Sequence, residues 1–102
     1  MAFMFNDDKS KEIMHVPITK SGSTSALSAG LTLTASELGL DDLLRWRVVS
    51  QSYFNSGSAN EFENVNPTWR YSNNDTIIVD VDPQKGDNVR VVFMYCKSVV
   101  NV

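Results

Sequence analysis

From Thr76 to Ser98 the chain reads TIIVDVDPQKGDNVRVVFMYCKS, two runs rich in β-branched and aromatic residues around a short charged stretch. Side chains of a strand alternate between two faces, so a two-residue beat assigns every position a side. In the first run Ile77, Val79 and Val81 share one face, and Ile78, Asp80 and Asp82 the other. In the second, Val89, Val91, Phe93 and Tyr95 oppose Arg90, Val92, Met94 and Cys96, so this run is apolar almost throughout. A strand apolar on both faces belongs at the centre of a sheet or inside a sandwich. The two runs read as a hairpin with the charged stretch as its corner.

The same beat recurs in LLRWRVVSQSYF (43–54), where Leu44, Trp46 and Val48 alternate with Arg45 and Arg47, and in TWRY (68–71), where Trp69 and Tyr71 oppose Thr68 and Arg70. Leu31 and Leu33 alternate with Thr32 and Thr34. Thr34 and Glu37 then stand at capping-box spacing, with Gly39 placed to stop a helix after barely one turn. A longer helix over 35–46 would trap Gly39 inside at a cost of about 1 kcal/mol. The segment IMHVPIT (13–19) can extend, but Pro17 confines it to a sheet edge or a strand end. These patterns predict an all-β fold: a small antiparallel β-sandwich or barrel of about 5–7 strands, with one short helical turn near residues 35–39.

With 102 residues, 42% of them apolar and 21% charged, the chain can form one ordinary globular core. Residues 1–12 read as a flexible N-terminal arm and 13–102 as a single β domain. Within that domain, KSGSTSALSAG (20–30) reads as a Ser/Gly-rich loop and 55–68 as a long Asn-rich loop ending at Asn66-Pro67. Structureless connections of the second length are uncommon in compact domains and often functional. The net charge of −3, with Lys and Arg scattered, offers no basic stripe for nucleic acid or an acidic membrane. A single cysteine, Cys96, permits no internal disulfide. The opening MAFMFNDDKSKE lacks the basic region of a secretory signal, and no apolar run is long enough to span a membrane. Manufacture in the cytoplasm, without a signal peptide, is the expectation.

Candidate chemistry is sparse. Asp80, Asp82, Asp87 and Asn88 carry the oxygens calcium favours, yet counting from Asp80 the EF-hand glycine comes one place late and position twelve falls on valine. Plain turn chemistry accounts for the stretch: Pro83 presets φ, Gly86 can take positive φ, and Asp and Asn bond their own backbone. His15, the only histidine, lies between Met14 and Val16 without a second soft ligand or a nucleophile elbow nearby. No catalytic residue, metal site or cofactor is expected. The densest functional material is aromatic. Of the aromatics between Trp46 and Tyr71, Tyr53, Phe62, Trp69 and Tyr71, together with Asn60, form the candidate binding set, with Tyr53 and Trp69 expected to be exposed because they flank the long loop. Aromatic faces beside amides suit a glycan, although aromatics also fill small β cores.

The segment SGSTSALSAGLTLTASELGLDDLLRWRVVSQ, followed by DTIIVDVDPQKGDNVRVVFMY, resembles small β-domains of phage or prophage virion proteins, of the tail-fibre, baseplate and head-decoration class. The resemblance spans about residues 20–97. It implies a non-enzymatic structural, assembly or adhesion domain in a virion, working through loop and strand-edge contacts, in a homo-oligomer or against another protein. A carbohydrate-binding module is the alternative, and a small hydrolase using His15 or a carboxylate pair a third.

Overall fold

A computed structural model describes residues 16–55 and 63–96. Seven strands follow one another as β1 (Ile18–Ser23), β2 (Leu31–Thr34), β3 (Trp46–Phe54), β4 (Glu63–Val65), β5 (Trp69–Asn73), β6 (Thr76–Val79) and β7 (Asn88–Tyr95). They form two antiparallel sheets, a larger one in the order β1-β7-β3-β4 and a smaller one in the order β2-β6-β5. Leu31, Leu33, Ile77 and Val79 from the small sheet meet Trp46, Val48, Val89, Val91 and Phe93 from the large one in a single buried cluster. The all-β expectation is met, in sandwich-like form.

The expected hairpin is not one. β6 pairs with β2 and β5, whereas β7 pairs with β1 and β3, so the 80–87 stretch carries the chain from one sheet to the other. The alternation was right about faces: Ile77, Val79 and Val81 are buried, as are Val89, Val91 and Phe93. Two runs with equally apolar inner faces can pair side by side or oppose each other across a core, and the beat is the same in both cases. β7 is central, flanked by β1 and β3, but among the described residues no element covers its outer face, and Met94 is 42% exposed.

Three further boundaries differ. Of the edge strand expected over 13–19, residues 13–15 lie outside the described residues; the strand described there runs over Ile18–Ser23, and the loop expected to start at 20 starts at 24. The inner positions of β1 are Ile18, Lys20 and Gly22, which show no apolar beat. Lys20 leans across to the small sheet, and a Cβ at Gly22 would come within 3.0 Å of Leu27. The Asn-rich connection contains β4, paired with Gln51–Tyr53 of β3. The run from 43 becomes a strand only at Trp46; Leu43 enters the core from the preceding turn, while Leu44 is half-buried.

The helical turn is a short 3-10 segment, Ala35–Leu38. Its capping box is complete, with Glu37 N–H donating to the Thr34 hydroxyl and Thr34 N–H donating to Glu37 Oε2. Gly39 closes it in the left-handed region at φ 72°. Gly86 is different. Its φ of 162° is ordinary extended backbone, and what demands glycine there is space: a Cβ would lie 3.1–3.2 Å from Phe54 O, Phe54 N and Tyr53 Cβ.

Candidate functional site

β3 decides where the aromatic set goes. Its ladder with β7 runs Trp46↔Tyr95, Arg47↔Met94, Val48↔Phe93 and then jumps to Ser50↔Val92, leaving Val49 as a bulge. Before the bulge even-numbered residues face the core; after it odd-numbered ones do, so Gln51 and Tyr53 turn inward. One extra residue inverts every later assignment along a strand. Tyr53, expected to be exposed, is therefore only 3% accessible.

Burial sets terms for the Tyr53 hydroxyl, which must find partners inside. It accepts from Asp82 N–H at 2.8 Å and from Gln51 Nε2 at 3.0 Å. Gln51, itself 2% exposed, also donates from Nε2 to the Asp80 carbonyl at 2.8 Å. These bonds tie β3 to the end of β6 across the two sheets. They border a cavity of about 250 Å³ on the β4/β5 side, rimmed by Val65, Asn66, Thr68, Val81, Asp82 and Lys85.

Trp69 and Tyr71 do come together. Both are half-buried on the inward side of β5, with ring centroids 5.4 Å apart and nearly perpendicular. The Tyr71 hydroxyl donates to the Trp46 carbonyl at 2.8 Å, and burial pushes its pKa up. The Arg47 guanidinium lies 6.0 Å from the centre of the Trp69 ring, within cation–π range. Trp69 thus packs against the core as well as meeting a cation and is no bare platform. Asn60 and Phe62 lie outside the described residues, as does His15.

At one end of the sandwich the connections are fastened to one another. The buried Thr24 hydroxyl donates to the Gly86 carbonyl at 2.7 Å, Thr24 N–H to the Asp87 carbonyl at 3.0 Å, and Asp87 N–H to Asn55 Oδ1 at 3.1 Å. Asp82 caps the 3-10 turn Pro83–Lys85 by accepting from Gln84 N–H. A polar cavity of about 420 Å³ opens there among Ser23, Ser25, Asn55, Gln84 and Asp87. A third cavity, about 310 Å³, lies beside Asp41, Asp42, Arg45 and Tyr95.

Among the described residues, no three His, Cys, Asp or Glu side chains gather as a metal set, and no helix is long and apolar enough to cross a membrane. Cys96 is half-buried at the end of β7. Gln51, Asn66, Thr68 and Lys85 are the cavity residues that sequence reasoning missed. Their signal was a glutamine between two serines in a strand, which becomes an inner position only once the bulge is known. Compared with known proteins, the chain matches no family model, no curated protein and no solved structure, so its work has to be read from its own side chains.

Proposed function

We propose that this chain is a non-enzymatic structural domain that assembles with copies of itself, as accessory proteins of a phage particle do. The observation that carries the proposal is the outer face of the large sheet. Met94 on the central strand and the bulged Val49 beside it are 42% and 46% exposed, with half-buried Val92 between them. Apolar side chains on an open sheet face favour a covering partner. Arg90 stands on that face, while Arg47 beside Met94 turns its guanidinium toward Trp69, and Asp82 and Asp87 are exposed on the 80–87 connection. An acidic connection of one copy against the basic, apolar face of the next gives a heterologous contact, the kind that closes into rings.

The strand edges support this less than the face does. The large sheet's edges are β1, which places Lys20 inward, and the three-residue β4, devices that discourage edge pairing. The loop end adds a rigid acidic corner to be recognised. Light scattering tests the proposal: the wild-type chain should run as a closed oligomer of fixed mass, and the double substitution Met94→Glu, Val49→Lys should reduce it to single-chain mass while its amide NMR spectrum stays dispersed, with a melting temperature that no longer depends on concentration. A wild-type chain that remains a single copy up to high micromolar concentration overturns it.

A further inference from the structure

The Tyr53 hydroxyl is an acceptor twice over, and neither bond uses its proton. Asp82 N–H can only donate. The Gln51 amide is oriented by its bond to the Asp80 carbonyl, which requires nitrogen there, so Nε2 donates to Tyr53 as well. No acceptor for the phenolic proton is found among the described residues. A buried hydroxyl with an uncommitted donor wants a partner, and Tyr53 lines the cavity of about 250 Å³ on the β4/β5 side.

We propose that this cavity is a binding site for one neutral sugar unit, with the Tyr53 proton given to a ring or hydroxyl oxygen. The rim selects the ligand class. Lys85 is a cationic donor 4.0 Å from Glu63, Asp82 is an exposed carboxylate acceptor, the Asp80 carboxylate is paired with Arg70 at 3.1 Å, and Asn66 and Thr68 can both donate and accept. An anion would meet the Asp82 carboxylate, and a cation would meet the lysine and the phenolic proton. A polyhydroxylated neutral ring offers donors and acceptors in turn. Its C–H face can lie on Val65 and Val81, the apolar part of the wall. A cavity of this volume holds a single ring rather than an extended chain, so further units of a glycan would leave toward solvent past Asn66 and Thr68. The site uses Tyr53, but through its hydroxyl rather than as an exposed stacking platform. It shares Asp82 with the acidic connection of the assembly proposal, but no residue of the apolar strip takes part, so the Met94 and Val49 substitutions test assembly without touching this cavity.

The test is a titration of the full chain, followed by amide NMR, with a panel of neutral hexoses, N-acetylhexosamines, deoxyhexoses and pentoses, and with glucuronate as the charged control. At least one neutral sugar should cause saturable shifts at the Asp82, Val65 and Asn66 amides, at millimolar affinity, and glucuronate should not. Tyr53→Phe should weaken binding at least tenfold. Because that change also removes an acceptor from Gln51 and Asp82, Asn66→Ala and Lys85→Ala serve as rim variants. They should weaken binding several-fold with the melting temperature unchanged. The proposal is overturned if no neutral sugar saturates, which leaves water as the proton's partner, or if binding survives intact in both rim variants.

Discussion

The two long sides of the sandwich are closed by different chemistry. On the β1/β2 side, Lys20 spans the gap, donating to the Thr32 carbonyl at 2.7 Å and to Glu37 Oε1 at 2.8 Å. That clip is partly exposed, with both side chains reaching solvent. On the β4/β5 side, neutral groups span the gap: Gln51 and Tyr53 to the 80–82 backbone, and Tyr71 to the Trp46 carbonyl. A charged clip at the surface is worth little because water competes for both ions. A buried neutral network is worth more, since each group left without a partner bears its full desolvation penalty. The β4/β5 side should thus hold the fold, and it is also the side with a cavity.

The largest effect that could break this contrast comes from the bulge. Inserting one alanine between Ser50 and Gln51, just past the bulge, would shift the phase by one place and turn Gln51 and Tyr53 outward. The network and the register with β4 would go together, a loss we expect to exceed about 5 kcal/mol, near the whole stability of a small domain. Near-UV circular dichroism and amide dispersion report it. An insertion variant that keeps native dispersion would mean that a wider bulge absorbs the extra residue and that the phase of Gln51 and Tyr53 is not fixed by the chain count.

A smaller effect tests one bond. Tyr71→Phe keeps the ring against Trp69 and removes the donor to the Trp46 carbonyl. Urea unfolding should show a loss of about 1 kcal/mol, the net worth of a single hydrogen bond, and no change in the denaturant slope. A loss within error would place that carbonyl in water and leave Gln51 and Tyr53 to close the side by themselves.

What could be read from the sequence follows the same division. Faces were legible wherever apolar and polar residues alternate, as in β2, β6 and β7, because burial imposes the pattern directly. So was the capped turn, since Thr34, Glu37 and Gly39 each supply a specific local bond or dihedral. Pairing was not legible: β6 and β7 face each other across the core, and nothing in the beat of either says whether a partner lies beside it or above it. β1 escaped because its inner positions include a lysine and a glycine, whose roles depend on residues of the small sheet and the following loop. The site was half legible. Tyr53, Trp69 and Tyr71 were picked out as residues, but the bulge that buries Tyr53 has no mark in VVSQSYF, and Asn66, Thr68 and Lys85 join the cavity only through tertiary pairing.

The smallest effect concerns the charged clip and can be read by pH. Partial burial pushes the Glu37 carboxyl up, but the Lys20 ammonium, the Thr34 hydroxyl and the Thr34 N–H bond its ionised form and hold it below its ordinary value of 4.5. A carboxyl whose value is lower in the folded state than in the unfolded one binds protons more readily when unfolded, so it favours folding above 4.5 and loses that contribution as pH falls through the folded value. Stability measured at pH 6 and at pH 3 should therefore differ more in the wild type than in Glu37→Gln, by an amount that stays below about 1 kcal/mol for so exposed a pair. Lys20→Met should remove part of that difference and leave the share due to Thr34. If Lys20→Met removed all of it, the capping box would contribute nothing to the carboxylate. If it removed none, the clip would be a contact without consequence, and the β1/β2 side would be held by core packing alone.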